Sequence, residues 1–405
     1  MGRPVAAARH DRADPGVFRR HVLYIPGYDP FPPRRYRELY RSEGTAQAAI
    51  SGYELSLRSR PGETHGWEVR TRITGRETVS QVEVLVWSDL VKQSMGRGIA
   101  GTYLLLARTA WVYIASGALW RLVRLRKGPM IAALYPAVLL ILQALLAILA
   151  AVTVVRLVPW TGIDWGLGAV AAAAVLAGFL RLDRRLYVSY LMHDFGFTAL
   201  GGGAYPPELE ERLLVFRARL RAALDSGVDE VLVVGHSSGV HLGVSLLADA
   251  LRAGVPARPV LAFLSLGQAV PMASFLPGAR RLRADLRYLS ERADVAWIDV
   301  TAPSDGCSFA LCDPVAVSGV ATRAQRWPLI ISAAFSQTLS PERWNALKRR
   351  YFRLHFQYLC AFDRPGDYDY FQITAGPISL RKRFRGRRPS ANRITRVHNP
   401  HRDAA

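Results

Sequence analysis

Residues 229–244 read DEVLVVGHSSGVHLGV, and the order of residue types in this stretch decides the fold. Val231 to Val234 is a short apolar run rich in β-branched side chains, the pattern of a buried strand. Gly235-His236-Ser237-Ser238-Gly239 follows, and a segment with helical patterning continues from Val240 to Leu251. Strand, Gly-x-Ser-x-Gly and helix, in that order, make a nucleophile elbow. Its turn is tight enough to hold the serine in a strained backbone conformation at the strand's C-terminal end. Gly235 and Gly239 lack the Cβ atoms that would keep strand and helix apart. Ser237 is therefore the candidate nucleophile, with a helix N-terminus behind it.

Further strands and helices alternate outward from this point. His21–Ile25 reads as a strand running into Pro26-Gly27-Tyr28-Asp29-Pro30, and helical patterning follows from Arg34 to Ile50. Short strands fit Tyr53–Leu57, Trp67–Thr71, Val82–Trp87, Val260–Leu266, Val295–Val300 and Leu329–Phe335, with a helix at Pro207–Ser226. The expected fold class is α/β, with a mostly parallel sheet covered by helices on both faces.

A membrane insertion interrupts this pattern. Met130 to Val155 contains no charged residue. At the helical rise it reaches roughly 39 Å, more than a hydrocarbon core of about 30 Å. A second span fits 160–181, with Asp164 and Arg181 near its ends and Trp160 and Trp165 as interfacial aromatics. If the strands on either side share one sheet, the chain must cross the bilayer an even number of times. Ile99–Leu122, which contains Arg108, then reads as an interfacial helix anchored by Trp111, Tyr113 and Trp120. Arg121, Arg124, Arg126 and Lys127 precede the first span, and Arg181, Arg184 and Arg185 end the second. The connector holds Arg156 alone. Positive-inside bias places the α/β parts in the cytoplasm, and the expected setting is a bacterial inner membrane.

The resulting organisation is an N-terminal extension (1–20), a first α/β part (21–98), the insertion (99–185), a second α/β part (186–376) and a basic tail (377–405). The tail, dense in Arg and poor in apolar residues, is expected to be disordered and to meet anionic lipid headgroups. The formal net charge of +21 asks for an anionic partner, and no zinc-finger spacing or RNP-type signature points to nucleic acid. Membrane lipid fits better. The start, MGRPVAAARHDRADPG, has no apolar core of a secretory signal. Cys307, Cys312 and Cys360 make an odd count with no C-x-x-C, against a disulfide framework.

An acyl-transfer serine needs a base, a carboxylate to orient it, and donors for the oxyanion. The backbone N–H of Ser238 is one donor, and that of Tyr28, after Pro26-Gly27, is the other. Asp305, on the loop after the 295–300 strand, is favoured as the acid over Asp299, which lies within that strand. Among nine histidines, His355 completes the order Ser, Asp, His, and His193 is its rival. This chemistry calls for no metal or cofactor.

These residues resemble the α/β-hydrolase superfamily over about 20–90 and 200–375. The resemblance rests on Gly235-His236-Ser237-Ser238-Gly239, the Pro26-Gly27 loop and the order Ser237, Asp305, His355, and the GHSxG form is similar to that of many esterases and lipases. It implies a membrane-anchored serine hydrolase acting on an ester, thioester or lipid-like substrate. An acyltransferase on the same triad and a non-catalytic scaffold are the alternatives. Two departures stand out: the insertion precedes the elbow, where the usual lid follows it, and His355 comes some twenty residues after the last expected strand.

Overall fold

The apolar run at Val231–Val234 lies in the middle of one eight-stranded sheet. In this computed structural model the described residues are 16–59, 65–96, 98–158 and 162–403. Trp160 and residues 1–15 of the expected N-terminal extension lie outside them. In chain order the strands are β1 (Phe18–Ile25), β2 (Glu54–Ser59), β3 (Gly66–Ile73), β4 (Arg76–Val84), β5 (Glu230–His236), β6 (Val260–Leu266), β7 (Val295–Thr301) and β8 (Leu329–Ser332). Across the sheet they run β2-β3-β4-β1-β5-β6-β7-β8. Every pair from β4 to β8 is parallel, and β3 runs against both of its neighbours.

Alternation along the central strands builds two cores. Val231 and Val233 join Leu23, Ile25, Phe263 and Trp297 on one face. Leu232 and Val234 join Val22, Tyr24, Leu264 and Ile298 on the other. A strand buried on both faces has no polar side, which is why β5 reads as a continuous apolar run. Most strand boundaries shift from the sequence reading, and two of the shifts have a visible cause. β4 begins at Arg76 and ends at Val84, because it pairs with β3 through a turn at Thr74-Gly75 that recruits polar residues. β8 stops at Ser332, because Ala334 adopts φ +45° and turns the chain into the short helix Phe335–Thr338.

Three helices among the described residues are long and apolar enough to cross a membrane: Gly98–Ala115, Lys127–Leu157 and Asp164–Asp183. All lie between β4 and β5. The long helix turns Ile131, Ile148 and Leu149 outward, each at least 60% exposed, an apolar surface that a water-facing helix does not carry. β1 pairs with β4 on one edge and with β5 on the other, from Arg20↔Glu230 to Ile25↔Gly235. A sheet stitched together across the insertion cannot straddle a bilayer, so any crossings made by these helices must be even in number. Of the three helices, Gly98–Ala115 is the most enclosed by protein.

The expected interfacial segment at 99–122 is two helices, Gly98–Ala115 and Ala118–Leu125, broken at Gly117 with φ +69°. Trp111 and Trp120 face outward as anchors would. Tyr113 does not: it is buried, and its hydroxyl donates to the Met272 carbonyl at 3.0 Å. It fastens the helix to the α/β body instead.

The C-terminal tail overturns the expectation of disorder. Ser390 N–H donates to Ile330 O, Asp313 N–H to Ile394 O, and the buried Asn399 side-chain amide to Ser274 O and Ser318 O. Leu380 and Phe384 are buried in the core on one face of the sheet. The segment forms little core of its own, so composition reads it as unfolded. It is ordered by backbone carbonyls and amides of the body that it satisfies.

Candidate active site

The elbow has the backbone its sequence demands. Ser237 sits at φ +55°, in the left-handed region that a side chain enters at a cost of roughly 1–3 kcal/mol. Its N–H donates to Leu266 O at the end of β6, and its carbonyl accepts from Val240 N–H. A Cβ on Gly235 would lie 2.8 Å from Val240 Cα, and one on Gly239 would lie 2.3 Å from Ile25 O. Neither glycine has room for a side chain. The Pro26-Gly27 loop passes directly over the serine, since a Cβ on Gly27 would lie 3.0 Å from Ser237 Cβ and 3.5 Å from its Oγ. Tyr28 follows in the cavity wall, and Ser238 is the N-cap of the elbow helix Gly239–Arg252.

Asp305 and His355 come together from opposite sides of a fifty-residue gap. The loop after β7 delivers Asp305, and the short helix Tyr351–His355 delivers the histidine. His355 Nδ1 lies 2.8 Å from Asp305 Oδ2. With its proton on Nδ1, the ring donates to the carboxylate and leaves Nε2 as the acceptor. Nε2 has no hydrogen-bond partner among the described residues. Asp305 also accepts from the Tyr358 hydroxyl at 3.0 Å and from Cys307 N–H at 2.9 Å. Burial opposes its charge, but His355 and these two donors outweigh it and hold the carboxyl below its ordinary range.

Ser237 and His355 line one cavity of about 70 Å³. Its roof comes from the insertion, through Pro129 and Ala132 of the long apolar helix, and from the helix Val188–Leu200 just after it, through Leu191, Asp194 and Phe195. Of the remaining candidates, His236 also lines this cavity, whereas His193 and Asp299 do not. His193 binds the Ser189 carbonyl of its own helix through Nδ1 at 2.7 Å. Asp299 accepts from Ser265 Oγ at 2.6 Å within the sheet, where burial pushes its carboxyl up to about 8. His236 is pushed down to about 3 by burial and by the neighbouring His355, so it is neutral. Its Nε2 lies 3.0 Å from the His355 carbonyl, which ties the elbow to the histidine's backbone.

Comparison of the chain with protein-family models, curated proteins and solved structures returned no match. The chemistry of the site therefore rests on its own geometry.

Among the described residues, Asp305, Cys307 and His355 come nearest to a metal-ligand set. Asp305 and His355 are bonded to each other, and burial, reinforced by the charges of Asp305 and Asp194, pushes the Cys307 thiol well up.

Asp194 is a functional candidate that sequence reading missed, because nothing in SYLMHDFGF marks it. Burial pushes its carboxyl from 3.8 up to about 7, while His355 and the Ser238 hydroxyl pull it partly back. The folded pKa exceeds the unfolded one, so the folded chain retains a proton that the unfolded chain loses. The stability this confers is complete below about pH 4 and is lost as pH rises through about 7. Asp194→Asn is expected to flatten that fall. The thermal midpoint of the wild-type chain should drop more between pH 4 and pH 8 than that of the variant, and an equal drop would overturn this assignment.

Proposed function

We propose that the chain is a membrane-anchored serine hydrolase of the α/β-hydrolase type, cleaving carboxylic esters or thioesters through an acyl-enzyme. The observation that carries the reading is His355, bonded to Asp305 behind it, in the wall of the cavity that holds the strained Ser237. Ser237 Oγ attacks the carbonyl carbon and passes its proton to His355 Nε2. The N–H groups of Tyr28 and Ser238 stabilise the oxyanion. The bond to the leaving alcohol or thiol breaks, and the leaving group takes the proton from His355. Water then attacks the acyl-enzyme, giving a proton to His355. The carboxylic acid departs, and the proton returns to Ser237.

The roof of the cavity favours an apolar acyl chain. A substrate dissolved in the bilayer would reach Ser237 beside Pro129 and Ala132 without passing through water. Two crossings, by Lys127–Leu157 and Asp164–Asp183, satisfy the parity of the sheet. With basic residues on both outer flanks of this pair, the α/β body faces the cytoplasm of a bacterial inner membrane.

A fluorophosphonate probe tests the reading. The detergent-solubilised wild-type chain is expected to carry one adduct, placed on Ser237 by peptide mass spectrometry, and Ser237→Ala to carry none. Labelling of Ser237→Ala at the wild-type rate, or no labelling of a folded wild-type chain, would sink the hydrolase reading.

A further inference from the structure

A second and much larger concavity, about 880 Å³, adjoins the Ser237 cavity. The two share Asp29, Tyr190, Phe352 and Phe356 as walls. The partition is aromatic: the Tyr190 and Phe352 rings lie 5.9 Å apart, and Tyr187 lies 4.9 Å from Phe352. Tyr187 caps the helix Asp164–Leu186, immediately beyond the membrane-crossing part of that helix. The groove therefore opens where that helix leaves the apolar layer.

Its charge is unbalanced. Arg41 is paired with Glu38 at 2.9 Å and Arg343 with Glu43 at 3.4 Å. Arg35, Arg350 and Arg353 also line the groove, all exposed. Arg35 stacks on Phe31 at 3.7 Å, and neither Arg350 nor Arg353 has an ion pair among the described residues. The acidic wall residue left to answer these guanidiniums is Asp29. It is occupied by the Tyr36 hydroxyl and Phe31 N–H, and burial raises its carboxyl above the ordinary range despite those bonds. Arg350 caps the short helix that ends in His355 and Arg353 lies within it, so both line the groove from the element that brings in the base. Guanidinium forks in one groove suit the oxygens of a phosphate.

We propose that this groove holds the phosphate-bearing head of an anionic acyl lipid whose ester-linked chain reaches the Ser237 cavity. The proposal rests on the hydrolase reading for the fate of the chain, and on the groove alone for recognition of the head. It makes the substrate class an anionic lipid ester.

The test uses dodecyl phosphate as the probe and the full chain in a neutral maltoside detergent, with binding read by calorimetry. Wild type is expected to bind dodecyl phosphate at least about tenfold more tightly than inorganic phosphate. Arg350→Gln/Arg353→Gln should weaken dodecyl phosphate binding by about tenfold or more. Arg349→Gln/Arg385→Gln removes the same charge outside the groove and should leave binding within about twofold. Bound dodecyl phosphate should also slow fluorophosphonate labelling of wild-type Ser237. Equal weakening in both double variants would reduce the groove to general surface charge and overturn the proposal. Inorganic phosphate binding as tightly as dodecyl phosphate would overturn the lipid assignment in favour of free phosphate. Tight, variant-sensitive binding without any labelling of Ser237 would leave the groove assigned and remove the hydrolase. Labelling that dodecyl phosphate does not slow would separate the groove from the cavity and overturn the link between them.

Discussion

Asp305→Asn is expected to lower kcat for a short-chain ester by about 10³- to 10⁴-fold, with KM within about threefold of wild type. The substitution preserves shape and removes charge. Asn offers an amide N–H as readily as a carbonyl, and an amide N–H facing His355 Nδ1 demands that Nδ1 be the acceptor. The ring proton then sits on Nε2, where it cannot take a proton from Ser237. The imidazolium formed during attack also loses the carboxylate 2.8 Å from it. Cys307 N–H still has Oδ1 to donate to, which holds the loop in place, while the Tyr358 hydroxyl, which shares Oδ2 with His355, must turn to accept from the new amide. The fold should survive, and the thermal midpoint reports that separately. Asp299→Asn is the contrasting variant: that side chain bonds Ser265 within the sheet, and its loss should move kcat by less than about tenfold. Larger losses from Asp299→Asn than from Asp305→Asn would transfer the orienting role to the strand residue. Parallel rate measurements on both variants decide it.

The elbow was legible because its signal is local. Two glycines, a serine and a β-branched run fit within sixteen residues, and the backbone they imply, φ +55° at Ser237, is a property of that stretch. Asp305 was legible more weakly, as an acid beyond a strand end, and His355 only through chain order. What brings those two together is a contact across fifty residues, and no window of sequence contains it. Asp194 and Tyr358 were invisible for the same reason: one acquires its meaning from a cavity roof, the other from a carboxylate in a different loop. Arg350 and Arg353 look like ordinary surface arginines until the fold sets them beside the cavity. The tail misled for a different reason. Composition measures how much core a segment can build, and this segment borrows its partners from strands and helices already built.

The same borrowing sets up the largest expected stability effect. Glu230→Ala should destabilise the chain by about 3–5 kcal/mol. Glu230 and Arg20 lie opposite each other on β5 and β1, both side chains fully buried, with Nε and Oε2 2.6 Å apart. Arg20 also donates to Gly376 O and Ile378 O, each at 2.8 Å, while Glu230 Oε1 accepts from Leu380 N–H at 2.7 Å. One ion pair thus joins the two central strands and fastens the C-terminal segment to them. Removing only the carboxylate leaves a guanidinium out of water with no counter-charge, and leaves the Leu380 N–H without its acceptor. The cost lies in the orphaned charge more than in the lost attraction, and that is testable. Arg20→Met/Glu230→Leu removes both charges and refills the space, and it should recover most of the loss despite having one more substitution. Recovery should stay incomplete, because Gly376 O and Ile378 O each lose a buried donor at about 1–3 kcal/mol. Thermal midpoints of the detergent-solubilised variants give the order: wild type highest, the paired replacement next, Glu230→Ala lowest. Limited proteolysis gives the location, since the arginines after Leu380 should become the first cleavage sites in Glu230→Ala. A paired replacement no more stable than Glu230→Ala would show that packing around Glu230, and not its charge, holds the segment down.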